Sequence, residues 1–130
     1  MYGGLAAMKK AVLLVGHGSR RKEANEALVT LCELVSGKDR KTIIAHGFLQ
    51  LADPGLPEAL AELDGQGVDE VTVVPVFLYE GVHIKEDIPE ILAREAAKRP
   101  NMRLVLAPVL GIDERMADIV WDRVQAARQG

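Results

Sequence analysis

Cysteine is almost absent from this chain: Cys32 stands alone, so an intramolecular disulfide and a zinc site built from thiolates are both excluded. A reducing compartment is the simple reading. Long apolar runs are missing as well, since the stretches 11–15 and 71–78 fall far short of the ~20 residues that cross a bilayer as a helix. There is no surplus of positive charge. A formal net charge of -3 tells against a nucleic-acid binder, because neutralising phosphates takes a basic face. Like-charge blocks and low-complexity tracts are also lacking, while 48% of the residues are hydrophobic, which is the composition of a folded globular protein. Lys9-Lys10 follow the short small-residue opening instead of leading it, the wrong order for a secretory signal, so the cytoplasm is the expected location.

With 130 residues there is room for one domain and its core. Residues 1–10 are expected to form a flexible segment and 11–130 the domain. Residues 11–15 read as a buried strand. Ala24, Ala27, Leu28, Leu31 and Val35 share one face of a helix over 23–35, which Gly37 would stop. A second strand is expected over 42–45 and a second helix on Leu56, Ala59, Leu60 and Leu63, ended by Gly65-Gln66-Gly67. Residues 70–74 form a third strand that Pro75 closes, since proline cannot donate to a sheet ladder. Asp87-Ile88-Pro89-Glu90 has the acid, early proline and later glutamate of a helix start, with Asp87 as N-cap. Residues 103–107 give a fourth strand. Met116, Ala117, Val120 and Val124 carry a last helix capped by Asp113. This βαβαβαβα alternation implies an α/β fold, a four-stranded parallel sheet between helical layers, for which the flavodoxin-like strand order 2-1-3-4 is expected.

In that order strands one and three are neighbours about 4.8 Å apart. The loops after them leave side by side at the switch point, where ligands bind in such sheets. His17 lies in the first of these loops and His83 beyond the second, so two imidazoles come within reach of one metal ion. His46 also ends a predicted strand, but on the far side of strand one, and is assigned a structural or supporting role. Ser19 makes no nucleophile elbow, because Gly16-His17-Gly18-Ser19-Arg20 lacks the Gly-x-Ser-x-Gly frame; capping the first helix suits it better. Cys32, inside a helical segment, is read as packing.

The stretches Gly16-His17-Gly18-Ser19-Arg20, Phe48-Leu49-Gln50-Leu51-Ala52-Asp53-Pro54, Val74-Pro75-Val76-Phe77-Leu78 and Gly81-Val82-His83-Ile84-Lys85-Glu86-Asp87-Ile88-Pro89 together resemble the small CbiX-type sirohydrochlorin chelatases. The resemblance runs from about residue 11 to residue 110. It implies the chelatase-like three-layer αβα fold of the class II chelatases and the ATP-independent insertion of a divalent metal, usually cobalt and in some members nickel or iron, into sirohydrochlorin. No organic cofactor is implied. His17 and His83 match the family's two metal-binding histidines. Longer relatives carry two such domains in one chain, so the resemblance also implies a homodimer that completes the cleft.

Metal insertion needs groups that hold the cation loosely and accept two pyrrole protons, and neutral imidazoles suit both tasks. Many family members read Phe-Leu-Glu where this chain has Phe48-Leu49-Gln50, so a carboxylate is lost there. Glu80, three residues before His83, is a candidate replacement as proton acceptor. Sirohydrochlorin carries eight carboxylates, and Ser19, Arg20, Arg21 and Lys85 are the candidates to bind it. Two other functions compete. A metal or tetrapyrrole delivery protein would keep both histidines after losing the acid at Gln50, and a phosphoryl-transfer enzyme would use His17 with Arg20 and Arg21. The latter lacks an arginine directly before His17, where Gly16 stands.

Overall fold

Short runs rich in valine, leucine and isoleucine pair side by side because each is buried on both faces, which only a parallel sheet with helices on either side provides. The structure, a computed structural model, describes residues 8–130, excepting the side chain of His83. Its elements alternate as β1 (Lys10–Gly16), α1 (Lys22–Ser36), β2 (Ile43–Phe48), α2 (Leu56–Gly65), β3 (Glu70–Pro75), α3 (Val82–Lys98), β4 (Arg103–Leu106) and α4 (Arg115–Gln129). The sheet order is β2-β1-β3-β4 and all three pairings are parallel, as the alternation predicted.

Leu13, Val15, Val71 and Val73 point to the face covered by α2 and α3, where Leu56, Leu60, Leu63 and Ile88 close the main core. Each fully buried side chain of this size stabilises the fold by about 1.5–3 kcal/mol. On the opposite face α1 seats Leu28 and Cys32 against Leu14 and Phe48. Cys32 is therefore a packing residue. A further tie joins α3 to α2: the buried Glu95 accepts from Arg99 at 3.2 Å and pairs with Lys98 at 3.3 Å, and Arg99 reaches Asp64 at 3.7 Å. No helix among the described residues is long and apolar enough to cross a membrane.

Several local expectations are corrected. Of the segment expected to be flexible, residues 1–7 lie outside the described residues. Lys9 is tied to the sheet, its backbone N–H donating to Asp69 at 2.8 Å, and Lys10 opens β1. β2 starts one residue late and runs through His46 to Phe48, because its ladder with β1 extends to Gly16. The third helix starts at Val82, five residues before Asp87, which is thus inside α3 and not its N-cap. Pro89 lies within the helix. Its exposed position leaves the Lys85 carbonyl, which loses its helical donor, on the solvent side. α4 follows Glu114 rather than Asp113, whose carboxylate instead forks the Arg115 guanidinium at 2.7 and 2.8 Å. That guanidinium and the Arg115 backbone N–H hold the Asp113 carboxyl well below the usual carboxylate range.

Candidate functional site

The site begins with backbone. β1 ends at Gly16, and its ladder continues beyond the named strands on both sides: Leu49 N–H donates to Gly16 O at 3.1 Å, Gln50 N–H to His17 O at 3.2 Å, and Val76 N–H to Val15 O at 2.8 Å. His17 thus emerges from the carboxyl rim of the central strand, held between extensions of β2 and β3. Gly18 has φ +95°, and a Cβ there would collide with the Gln50 carbonyl. Only glycine lets the loop turn over this close.

The imidazole of His17 is exposed at the rim, edge-on to Phe77 with ring centroids 6.2 Å apart. Its Nε2 lies 3.2 Å from the Gln50 amide nitrogen. An amide N–H donating to Nε2 leaves the ring proton on Nδ1; the flipped amide would reverse that assignment. The loop past His17 is fastened by Asn25, whose side chain accepts from Ser19 N–H at 3.0 Å and donates to Ser19 O at 2.8 Å. Ser19 is not the helix cap. Its hydroxyl accepts from Arg21 N–H at 3.0 Å while Arg21 occupies the N-cap position without a side-chain cap.

Beside His17 opens a cavity of about 480 Å³ lined by Leu49, Gln50, Ile84, Asp87, Glu90, Ile91 and Arg94. Apolar side chains form part of its wall and charged ones the rest. Arg94 makes no ion pair among the described residues, so its guanidinium is available to an anionic ligand. His83 belongs to the first turn of α3, one turn before Asp87 by helical period, and so shares the stripe of Asp87, Glu90 and Arg94. The topology therefore brings His17 and the His83 backbone to neighbouring elements at one rim.

The other sequence candidates scatter around this cavity. Arg20 and Arg21 are exposed in the loop between His17 and α1. Glu80 and Lys85 line a separate cavity of about 220 Å³ with Pro75, Ile88, Leu106 and Val109, toward the β4 side of α3. The structure does not bring those two into the His17 cavity. His46 lies within the edge strand, its ring edge-on to Phe48 at 5.6 Å. No group of three or more metal-ligating side chains occurs among the described residues. Sequence reasoning missed Arg94 and Asn25. Arg94 falls at the helical period from Asp87, and Asn25 sits in a first helical turn, where its amide reaches preceding backbone.

Together the order β2-β1-β3-β4 and a histidine at the rim of β1 define a doubly wound α/β domain with its ligand crevice at the switch point. The CbiX family model matches residues 11–127, and the chain belongs to that family. It is 36% identical over 126 residues to the sirohydrochlorin cobaltochelatase of Methanosarcina acetivorans, covering 92% of this chain and 97% of that one. To the sirohydrochlorin ferrochelatase of Bacillus subtilis it is 33% identical over 118 residues, 91% of this chain and 45% of the relative. Among solved structures, the sirohydrochlorin chelatase SirB from Bacillus subtilis subspecies spizizenii in complex with cobalt superposes with a TM-score of 0.83 at 34% identity. That match covers 92% of this chain and 51% of SirB, so the chain spans about half of that longer relative.

Proposed function

We propose that this protein is a sirohydrochlorin chelatase that inserts a divalent metal ion, cobalt as the preferred substrate, in tetrapyrrole and corrinoid synthesis. The observation that carries the reading is the placement of His17 at the open rim of β1, beside the stripe of α3 on which His83 falls, in a chain matched to the CbiX family over residues 11–127. Relatives named for cobalt and for iron support a divalent transition metal, and imidazole accepts both as well as nickel.

In this reading His17 and His83 share the incoming cation and leave its other positions to water, so that the ring nitrogens can replace ligands one at a time. A closed four-ligand cage would hold the ion too tightly. Insertion releases two pyrrole protons for each ion taken up. The two imidazoles are the groups assigned to accept them, Glu80 being turned to the other cavity. The macrocycle lies against the Leu49, Ile84 and Ile91 wall, its carboxylates met by Arg94 and, around the rim, by Ser19, Arg20 and Arg21. A homodimer supplies the second side of the cleft, as the two-domain length of the longer relatives suggests. The lone, buried thiol suits the cytoplasm.

A second reading rests on Gln50, which puts an amide against His17 where an acid would take protons: the protein then binds and delivers the metal or the ring without turnover. One assay separates the two. Purified protein mixed with excess sirohydrochlorin and Co²⁺ should give many equivalents of product, read by the absorbance change and corrected for uncatalysed insertion. His17→Ala and His83→Ala should lower the rate roughly 100-fold or more. Product that stops at one equivalent would establish the delivery reading, and none at all would end both.

A further inference from the structure

α3 carries His83 on its first turn, and that turn is loosely fastened. Gly81 at the N-cap position gives no side chain to the turn's N–H groups, and no acid stands in the turn to meet their partial positive charge. The turn itself is closed, since Lys85 N–H donates to Gly81 O at 3.0 Å. Its tie to the rest of the helix is short by one bond: in an α-helix the Lys85 carbonyl would accept from residue 89, which is Pro89 and has no N–H. Residues 82–85 therefore form a unit joined to α3 less firmly than an unbroken helix would join it.

Space lies on both sides of this unit. Ile84 lines the cavity of about 480 Å³ beside His17 and also the cavity of about 220 Å³ on the β4 side, and is their common wall. Leu49 and Ile91 continue the first, Pro75, Ala107 and Val109 the second. One turn further on, Ile88 is 1% exposed within the main core, whereas Ile84 is half-buried and only flanks that core. The second turn is thus held where the first is not. A side chain with a void on each flank forgoes contacts on both, and so has two seats of similar worth where a close-packed residue has one.

The backbones of the two histidines differ in their freedom to move. The His17 carbonyl accepts from Gln50 N–H at 3.2 Å, and Asn25 fastens the loop that follows through its bonds to Ser19 N–H and Ser19 O, so His17 stays with the sheet. Metal insertion requires that the cation be gripped and then given up. With His17 fixed, that change falls to the turn that carries His83.

We propose that Ile84 is a positioning residue for His83. Seated toward the His17 cavity, Ile84 holds the first turn of α3 close to the β1 rim, where both histidines serve one cation. Seated in the β4-side cavity it draws the turn back, and a ring nitrogen takes the place that His83 leaves on the ion. The bond missing at Pro89 lets the turn shift without unwinding the rest of α3. Two alternative seats make this a two-state element. The inference rests on the chelatase reading and assigns the step at which the ion passes from protein to ring.

Ala107 lines the smaller cavity and not the cavity of His17, so Ala107→Leu fills the second seat from the β4 side. Co²⁺ titrated alone and followed by its visible absorption should bind this variant at least as tightly as the parent. Its kcat for insertion should fall by about tenfold or more with KM for sirohydrochlorin unchanged. Ile84→Val in the same chain should restore kcat, which damage to the fold would not allow. Pro89→Ala, which returns the missing donor, should lower kcat too and slow amide exchange at residues 86–88 by about fivefold or more, the worth of one hydrogen bond. An unchanged kcat in Ala107→Leu, a loss of kcat matched by an equal loss of Co²⁺ binding, no rescue by Ile84→Val, or exchange indifferent to Pro89→Ala would each overturn the proposal. If it fails while the parent inserts cobalt, the chelatase reading stands without it. A parent that inserts no metal would end the chelatase reading and with it the role assigned to Ile84, while exchange at 86–88 would still show whether the turn moves.

Discussion

The Gln50 amide nitrogen lies 3.2 Å from Nε2 of His17, so the residue at which this chain departs from the Phe-Leu-Glu of many family members touches the histidine placed at the rim. The contact is fixed from below by the Gln50 N–H to His17 O bond, which aligns the two residues as neighbours in an extended ladder.

Replacing Gln50 by glutamate puts a carboxylate against the ring at that distance, a group that can take a proton where the amide cannot. The rate of cobalt insertion at pH 8 should rise. Initial rates of parent and Gln50→Glu measure this, and equal rates would show that the contact does not govern the reaction.

Gly18→Ala should be costly in a way that volume alone does not suggest. Its left-handed backbone and the Gln50 carbonyl leave no space for a Cβ, so the 16–19 loop must shift. We expect about 1–3 kcal/mol of lost stability by urea titration. Activity should fall by up to about 100-fold, since displacement of His17 by ~1 Å suffices for that.

Arg99→Ala strands the Glu95 carboxylate, whose side chain is 5% exposed, with only the solvent-facing Lys98. Stability should fall by about 3 kcal/mol, at the low end for a broken buried pair because Arg99 is itself 17% exposed. The double change Glu95→Leu, Arg99→Leu should recover most of it, which equilibrium unfolding of the three proteins would show.

Burial, and to a lesser degree the charge of Glu33, push the Cys32 thiol up from its ordinary range. The folded protein should therefore react with a disulfide reagent at pH 8 roughly tenfold or more slowly than the urea-unfolded chain. Equal rates would mean that α1 opens readily.

The strand order and the His17 rim were legible because parallel strands buried on both faces leave continuous apolar runs, and the glycines around His17 mark a tight turn. Helix starts were harder. Asp87 and Pro89 carry the signature of a first turn, but the same residues are tolerated inside a helix when the proline is on its exposed side, as in α3. Ser19 looks like a cap from sequence, whereas the structure uses its hydroxyl to hold Arg21 N–H and assigns the fastening to Asn25. Lys85 is close to His83 in sequence, yet lines the β4-side cavity with Glu80, and Arg94, eleven residues away, lines the cavity of His17. Proximity along a helix misleads when its faces look into different cavities.

The extension of the β1 ladder through Leu49 and Gln50 has a thermodynamic consequence for His17. Its carbonyl can be released only by rupturing bonds continuous with the central sheet, so hydrogen exchange at the Gln50 amide should approach the slowness of the core strands. Rearrangement during a reaction cycle is then left to whatever approaches from the α3 side, with the β1 rim serving as the stationary anvil.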